Sequence, residues 1–433
     1  MSPPRKFATR TSPLKGPRRL EAARHLRGGR IAVLLLCAWA GAAAAWEFHG
    51  AVSAAPQLSS DDSASPYFVG PPTVALPHRA SRQDIELRAQ EGGFNAEGIL
   101  RQQLAEGAPP EYHGIANQFY YDGQLSPGLG WTLGKKVLSW GVGFGFKPLD
   151  VVQREDRRAV NPPPLIGQPL ALVERFTAAD ALTVAWIRPG QGRGNTDADA
   201  PALALHWYRL VGGDDLHAVA RLSSRRGVEA GAGATHVIGD EWSIYAAALY
   251  SQRYRLRLNQ LLDNGGLLAN ADPTAETLRR NSSKAVAGAQ WTGESGWSLL
   301  AEGWYDGDAW RRVDWQRLDA LTARQRAAAG VAPAAAIDGN VAWSSQAYLT
   351  TNLLRENLLA RLAWDDRDGF KPYAELLITP RDRGLATTAG ASLEGNRQRV
   401  SFGLRQLGGA AASAYAQAPI RRLLWAEWRL AMF

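Results

Sequence analysis

Residues 134–158 read GKKVLSWGVGFGFKPLDVVQREDRR, with glycines at 141, 143 and 145 ahead of a crowd of charges. Such a composition could cradle a phosphate. A dinucleotide fingerprint needs glycine at its first, third and sixth positions and then the start of a helix. Here Phe146 occupies the third glycine's place, and Pro148 falls where the helix should begin. Asn195, Asp197 and Asp199 alternate as calcium-loop ligands do, yet Ala200 replaces the turn glycine such a loop needs. Asp366, Asp368 and Gly369 read as a turn. The histidines are scattered, with His206, His217 and His236 on separate apolar-polar stretches, and neither H-E-x-x-H nor G-x-S-x-G occurs. The expectation is no enzyme, no catalytic residue, no cofactor and no metal.

A different set of charges is more informative. Arg221, Glu229, Lys284, Glu302, Arg361, Glu375, Arg399 and Arg405 each sit in a segment of alternating apolar residues, on the parity opposite the apolar one. If the apolar parity met hydrocarbon, an Arg or Lys turned toward it would cost roughly 2–4 kcal/mol near the midplane. These residues are therefore expected to face water and line a pore, where opposed acids and bases favour polar solutes. Pairing off as struts in a filled barrel is the equal alternative. Asp150, Asp156, Arg157 and Arg158 are loop candidates for the same lumen.

The elements that position them are strands. Leu203, Leu205 and Trp207 alternate with Ala204, His206 and Tyr208, and the same period of two recurs through 241–254, 282–292 and 397–407. Segments of about ten residues cross a bilayer at a tilt of ~45°, whereas strands of globular proteins peak near five or six. Trp242, Trp291, Trp297 and Trp364 stand beside turns, as in the aromatic girdles at a membrane boundary. Nineteen candidate segments can be marked. A barrel with both termini on one side needs an even number, so 16 or 18 is expected, with 46–53 the weakest candidate and 46–80 a first strand plus an arm or loop. Connections at 211–215, 239–241 and 293–296 are short, while 141–169, 189–200, 255–281 and 306–340 are long. Within the longest, a helix is expected from Asp314 to Ala329, lying over or in the lumen.

The start of the chain reads as a secretory leader. Nine basic residues precede the run IAVLLLCAWAGAAAA, and cleavage is expected after Ala45. Removing nine of 49 basic residues and one of 41 acidic residues leaves 40 of each sign. The formal charge of +8 therefore argues for no nucleic-acid partner. Cys37, the one cysteine, leaves with the leader.

Two segments carry a resemblance. The end of the chain, RRLLWAEWRLAMF, is similar to the last amphipathic strand of bacterial outer-membrane barrels, which finishes on an aromatic residue that assembly machinery reads; here Phe433 falls one residue out of step with the apolar face of Leu424, Ala426, Trp428, Leu430 and Met432. Between Trp131 and Pro189, the Gly-Lys-Lys at 134–136, Trp140-Gly141, the aromatic and glycine mix, and Pro148-x-Asp150 before a charged run resemble porin-like outer-membrane proteins related to the alginate-export group. The resemblance implies a monomeric barrel with a charged pore and names no substrate.

The sequence thus points to an all-β chain: a leader over 1–45, then over 46–433 a single transmembrane antiparallel barrel in the cell outer membrane. Expected partners are outer-membrane lipid, the barrel-assembly machinery and an unidentified hydrophilic solute. The expected function is passive passage of such solutes or export of a polymer; the alternatives are a non-transporting envelope barrel, an enzyme in the wall, or a soluble secreted β-protein.

Overall fold

The computed structural model describes residues 46–433 apart from 72, 75, 154–159, 161, 189–199, 366–368 and 433. Contacts divide the chain into Met1–Trp46 and Glu47–Phe433, and the fold below is that of the second. The leader, Asp156, Arg157, Arg158, the triplet Asn195, Asp197 and Asp199, the pair Asp366 and Asp368, and Phe433 lie outside the described residues.

Eighteen strands form one sheet. The first six are β1 Glu47–Asp61, β2 Arg79–Glu91, β3 Phe94–Ala105, β4 Glu111–Ser126, β5 Leu129–Lys136 and β6 Gln168–Phe176. Next come β7 Asp180–Ile187, β8 Ala202–Val211, β9 Asp214–Ser223, β10 Gly227–Ile238, β11 Trp242–Asn259 and β12 Thr274–Thr292. The last are β13 Trp297–Asp306, β14 Glu356–Trp364, β15 Phe370–Thr379, β16 Gly384–Glu394, β17 Gln398–Gly409 and β18 Ile420–Ala431. Each pairs antiparallel with the next, and β18 pairs with β1, so the sheet closes into a barrel with no free edge.

The even count of 18 agrees with the expectation, but the odd candidate is not the one the sequence made weakest. The segment 46–53 opens a full strand of 15 residues. The false candidate is 341–351, which forms the end of a helix and a 3-10 turn. There Val341, Trp343 and Ala347 happen to fall on one parity, and a run of Ser, Gln and Ala between them is equally at home in a helix. β5 also ends at Lys136 rather than Trp140, because the chain leaves the wall there and turns inward.

The alternation has a clear physical outcome. Ile85, Leu87, Leu203, Leu205, Leu222, Ile244, Leu299, Leu358, Phe402 and Leu404 are exposed on the outside, in a belt on which no second layer of the described residues packs. Trp242, 45% exposed, and Tyr250, 46% exposed, mark the two ends of that belt on β11. Eight steps of ~3.3 Å at a tilt of about 40° separate them by roughly 20 Å. Trp242 is the register partner of Trp291, and Trp297 stacks on Trp364 at 6.0 Å, so the aromatic residues named from sequence gather at one rim.

Both ends of the barrel chain share the rim of short turns, such as 92–93, 127–128 and 212–213. The opposite rim carries the long connections 62–78, 137–167, 260–273 and 307–355. Among the described residues three α-helices lie there: α1 Leu261–Asn264, α2 Arg312–Ala327 and α3 Ala334–Ser345.

Candidate functional site: the barrel lumen

Two long connections divide the lumen. The connection 137–167 folds into the barrel, where Leu138, Phe146, Leu149, Val151 and Val152 pack on inward residues of β6 to β14, among them Leu172, Ala204, Leu249, Leu300 and Leu359. β10 makes room with glycines: a Cβ at Gly231 or Gly233 would meet Leu149 side-chain carbons at 2.9 or 3.1 Å. The glycine-rich stretch VGFGF does cradle an anion after all, and the anion belongs to the wall. Glu302 accepts the amides of Phe144, Gly145 and Phe146 at 2.6, 2.9 and 3.0 Å, in a turn that Gly143 opens with φ +116°. Successive amides converging on one carboxylate form an anion nest.

Further polar anchors complete the docking. Asp150 accepts the amides of Trp140 and Gly141, both at 2.6 Å, and the Ser139 hydroxyl. Arg221 donates to the Val151 carbonyl at 3.1 Å and to Glu229 at 2.8 Å, and Ser251 donates to Glu229 at 3.0 Å. Lys284 meets Asp308 at 2.5 Å, where the connection after β13 begins. Burial raises the Asp150 carboxyl above the ordinary range, against the lowering effect of its amide bonds and of Lys147.

The long-loop end is covered separately. On α2, Trp315, Leu318 and Leu321 are buried with Tyr67, Tyr254, Leu256, Leu258, Leu354 and Tyr415. The helix expected over Asp314 to Ala329 is therefore real and folds over the opening with its apolar side down. Asp314 caps its first turn, accepting from the Arg311 amide at 3.0 Å and from the Arg311 guanidinium at 2.9 and 3.0 Å.

Opposite the inward loop, toward the short-turn rim, an open cavity of about 970 Å³ remains. β12 to β18 and β1, β2 and β4 wall it on one side, and Pro162, Pro163, Pro164 and Leu165 of the inward connection close the other. Its charges are Arg82, Arg361, Lys371, Arg399 and Arg429 against Asp84, Glu86, Asp365 and Glu427. Ion pairs link several of them in a chain along and across strands that ends on Arg101 of β3: Arg399 to Glu427 at 3.3 Å, Glu427 to Arg82 at 3.8 Å, Arg82 to Asp84 at 3.3 Å, and Asp84 to Arg101 at 2.8 Å. Arg361 stands where the two halves meet, 3.9 Å from the Tyr373 ring centre, 5.4 Å from that of Phe144 in the inward loop, and bonded to Glu375 at 2.9 Å.

The eight charges singled out from sequence fall into two groups. Arg221, Glu229, Lys284 and Glu302 are at most 3% exposed beneath the loops. Arg361 and Arg399 border the open cavity, Glu375 is the partner of Arg361, and Arg405 donates to Thr388 at 2.8 Å on the same inner wall. Arg82, Asp84, Glu86, Glu427 and Arg429 were missed. The signal was present, since Arg82, Asp84 and Glu86 alternate with the outward Ile85 and Leu87.

No protein-family model matches the chain, and no curated relative does. Solved structures do match in shape. OccK8 (OprE) of Pseudomonas aeruginosa aligns with a TM-score of 0.53 at 11% identity, over 89% of this chain and 99% of that one. OccK11 (OpdR) of Pseudomonas aeruginosa gives 0.51 at 8% identity over 90% and 96%, and OccAB1 of Acinetobacter baumannii gives 0.51 at 8% over 90% and 97%. The fold is that of a porin-like outer-membrane β-barrel.

Proposed function

We propose that this chain is a channel of the bacterial outer membrane through which small hydrophilic solutes pass passively. The observation that carries the reading is the water-accessible, charge-lined cavity of about 970 Å³ held open beside an anchored inward loop, inside a closed barrel with an apolar outer belt. An apolar belt outside, with the open part of the lumen lined by polar and charged groups, is what a bilayer demands of a water-conducting spanning sheet. In this reading Arg361, Glu375, Arg399 and Arg405 border the path, while Arg221, Glu229, Glu302 and Asp150 hold the loop that narrows it and Lys284 holds the start of the connection after β13. Adding Arg82, Asp84, Glu86, Glu427 and Arg429 gives a path of mixed sign, suited to polar solutes of either charge rather than to apolar ones. The covered long-loop end and the narrowing loop favour small solutes over an exported polymer. β18 would be the strand that the barrel-assembly machinery engages before it closes on β1.

Proteoliposome swelling tests this. Vesicles holding the folded barrel should swell quickly in small sugars or amino acids and slowly in oligosaccharides too large for the cavity. Swelling no faster than that of empty vesicles would contradict the proposal and favour an envelope barrel without transport.

A further inference from the structure

We infer that the outer surface of β11 and β12, just above the apolar belt at the long-loop rim, binds the phosphorylated headgroup of a lipid in the adjoining leaflet. The inference rests on the outer-membrane placement proposed above. Past Tyr250 the ladder skips a residue on each strand: Ser251 pairs with Ser282, the next pair is Arg253 with Arg280, and Asn281 between them has φ 60°. Beyond the skip, Tyr254, Leu256 and Leu258 turn inward to the covering helix. The alternate positions, Arg253 and Arg255, therefore turn outward, with Arg280 and the 54%-exposed Leu278 as their register partners.

Two arginines directly opposite on an antiparallel pair repel each other and destabilise the ladder. A third cation adds to them: Arg253 donates to the Ser224 carbonyl at 3.2 Å in the turn before β10, where the exposed Arg225 also stands. Above Tyr250 these two strands hold a single carboxylate, Glu276, bonded to Arg255 at 2.9 Å. Arg225, Arg253, Arg255 and Arg280 thus concentrate positive charge where belt gives way to water, which is the depth of lipid phosphates. Guanidinium forks match phosphate oxygens two at a time.

The test is native mass spectrometry of the full folded chain offered a diphosphorylated glucosamine-disaccharide lipid, the same lipid without phosphates, or phosphatidylethanolamine. The wild type should retain the diphosphorylated lipid preferentially. An Arg253→Gln/Arg280→Gln variant should bind it roughly thirtyfold more weakly, on the basis of about one surface arginine's contribution each. An Arg253→Lys/Arg280→Lys variant, which keeps the charge, should retain most of the binding. Equal retention by the glutamine variant, or equal retention of the dephosphorylated lipid by the wild type, would overturn the inference. Swelling measured on the same preparations separates this from the channel proposal: swelling without lipid preference sinks only the lipid site, and lipid preference without swelling sinks only the channel.

Discussion

Arg429 on β18 grips Glu86 on β2 with both prongs of its guanidinium, at 2.8 and 2.5 Å, across the strand that lies between them. The two residues are 343 positions apart. β1 lets them meet because its inward residues there are small: Ser53 is the register partner of Arg429, and Ala51 that of Glu86. The same seam has a gap in its ladder, since pairing of β1 with β18 jumps from Ala54↔Trp428 to Gln57↔Trp425 around Pro56, which has no amide to donate. Ion pairs spanning β1 hold the closure where hydrogen bonds are missing.

Arg429→Ala should therefore destabilise the folded barrel by about 1 kcal/mol, a modest figure because Arg429 is partly exposed and screened. The Arg429→Ala/Glu86→Ala double variant should lose less than the sum of the single losses. Urea unfolding in detergent checks this, and strict additivity would show that the pair contributes nothing to closure.

Glu302→Ala removes the acceptor for three loop amides, and at ~1 kcal/mol for each hydrogen bond the docking of the inward loop should weaken by about 3 kcal/mol. Tryptic cleavage at Lys147 should become faster in folded protein, and channel current noisier. Glu302→Gln keeps one acceptor oxygen and should fall between the two. Cleavage unchanged in Glu302→Ala would mean that the apolar contacts of Phe146 and Leu149 hold the loop unaided.

Acid should act on the two anchored connections with opposite sign. Burial lifts the Asp150 carboxyl above its ordinary value, so the folded state holds that proton more tightly than the unfolded chain. Stability from this group falls as pH rises through the window just above the usual carboxylate range, and mild acid firms the inward loop. For Asp314, burial pushes upward, but bonds from the Arg311 side chain and amide prevail and hold it below the ordinary value. Its contribution is present above the usual range and lost only as pH falls beneath it. A fluorophore on Lys147→Cys and another at exposed Arg324→Cys should both report docked connections from pH 7 to about 4, with the covering helix loosening first below that. Asp314→Asn should abolish the low-pH loss and cost about 1 kcal/mol at neutral pH.

Much of the wall was legible because a barrel writes its two environments into alternate residues. Leu203, Leu205, Phe402 and Leu404 face outward as their parity requires. Which inward charges border open space was not legible, because Lys284 and Arg399 look alike until a loop covers one of them. The VGFGF turn departs from a dinucleotide fingerprint, and the carboxylate it does hold, Glu302, lies 158 residues from Phe144, a partner that no local pattern announces. At 341–351, parity alone misread a helix as a strand, since short apolar runs fit either period.

Single-channel recording of the refolded chain in a planar bilayer tests the central claim most directly. The wild type should show steady open steps, and Arg399→Gln and Arg361→Gln should each shift its permeability toward cations by roughly two-fold, as expected when one charge leaves a narrow polar path. Silent membranes with barrel verified as inserted, or steps indifferent to both substitutions, would contradict a conducting, charge-lined lumen.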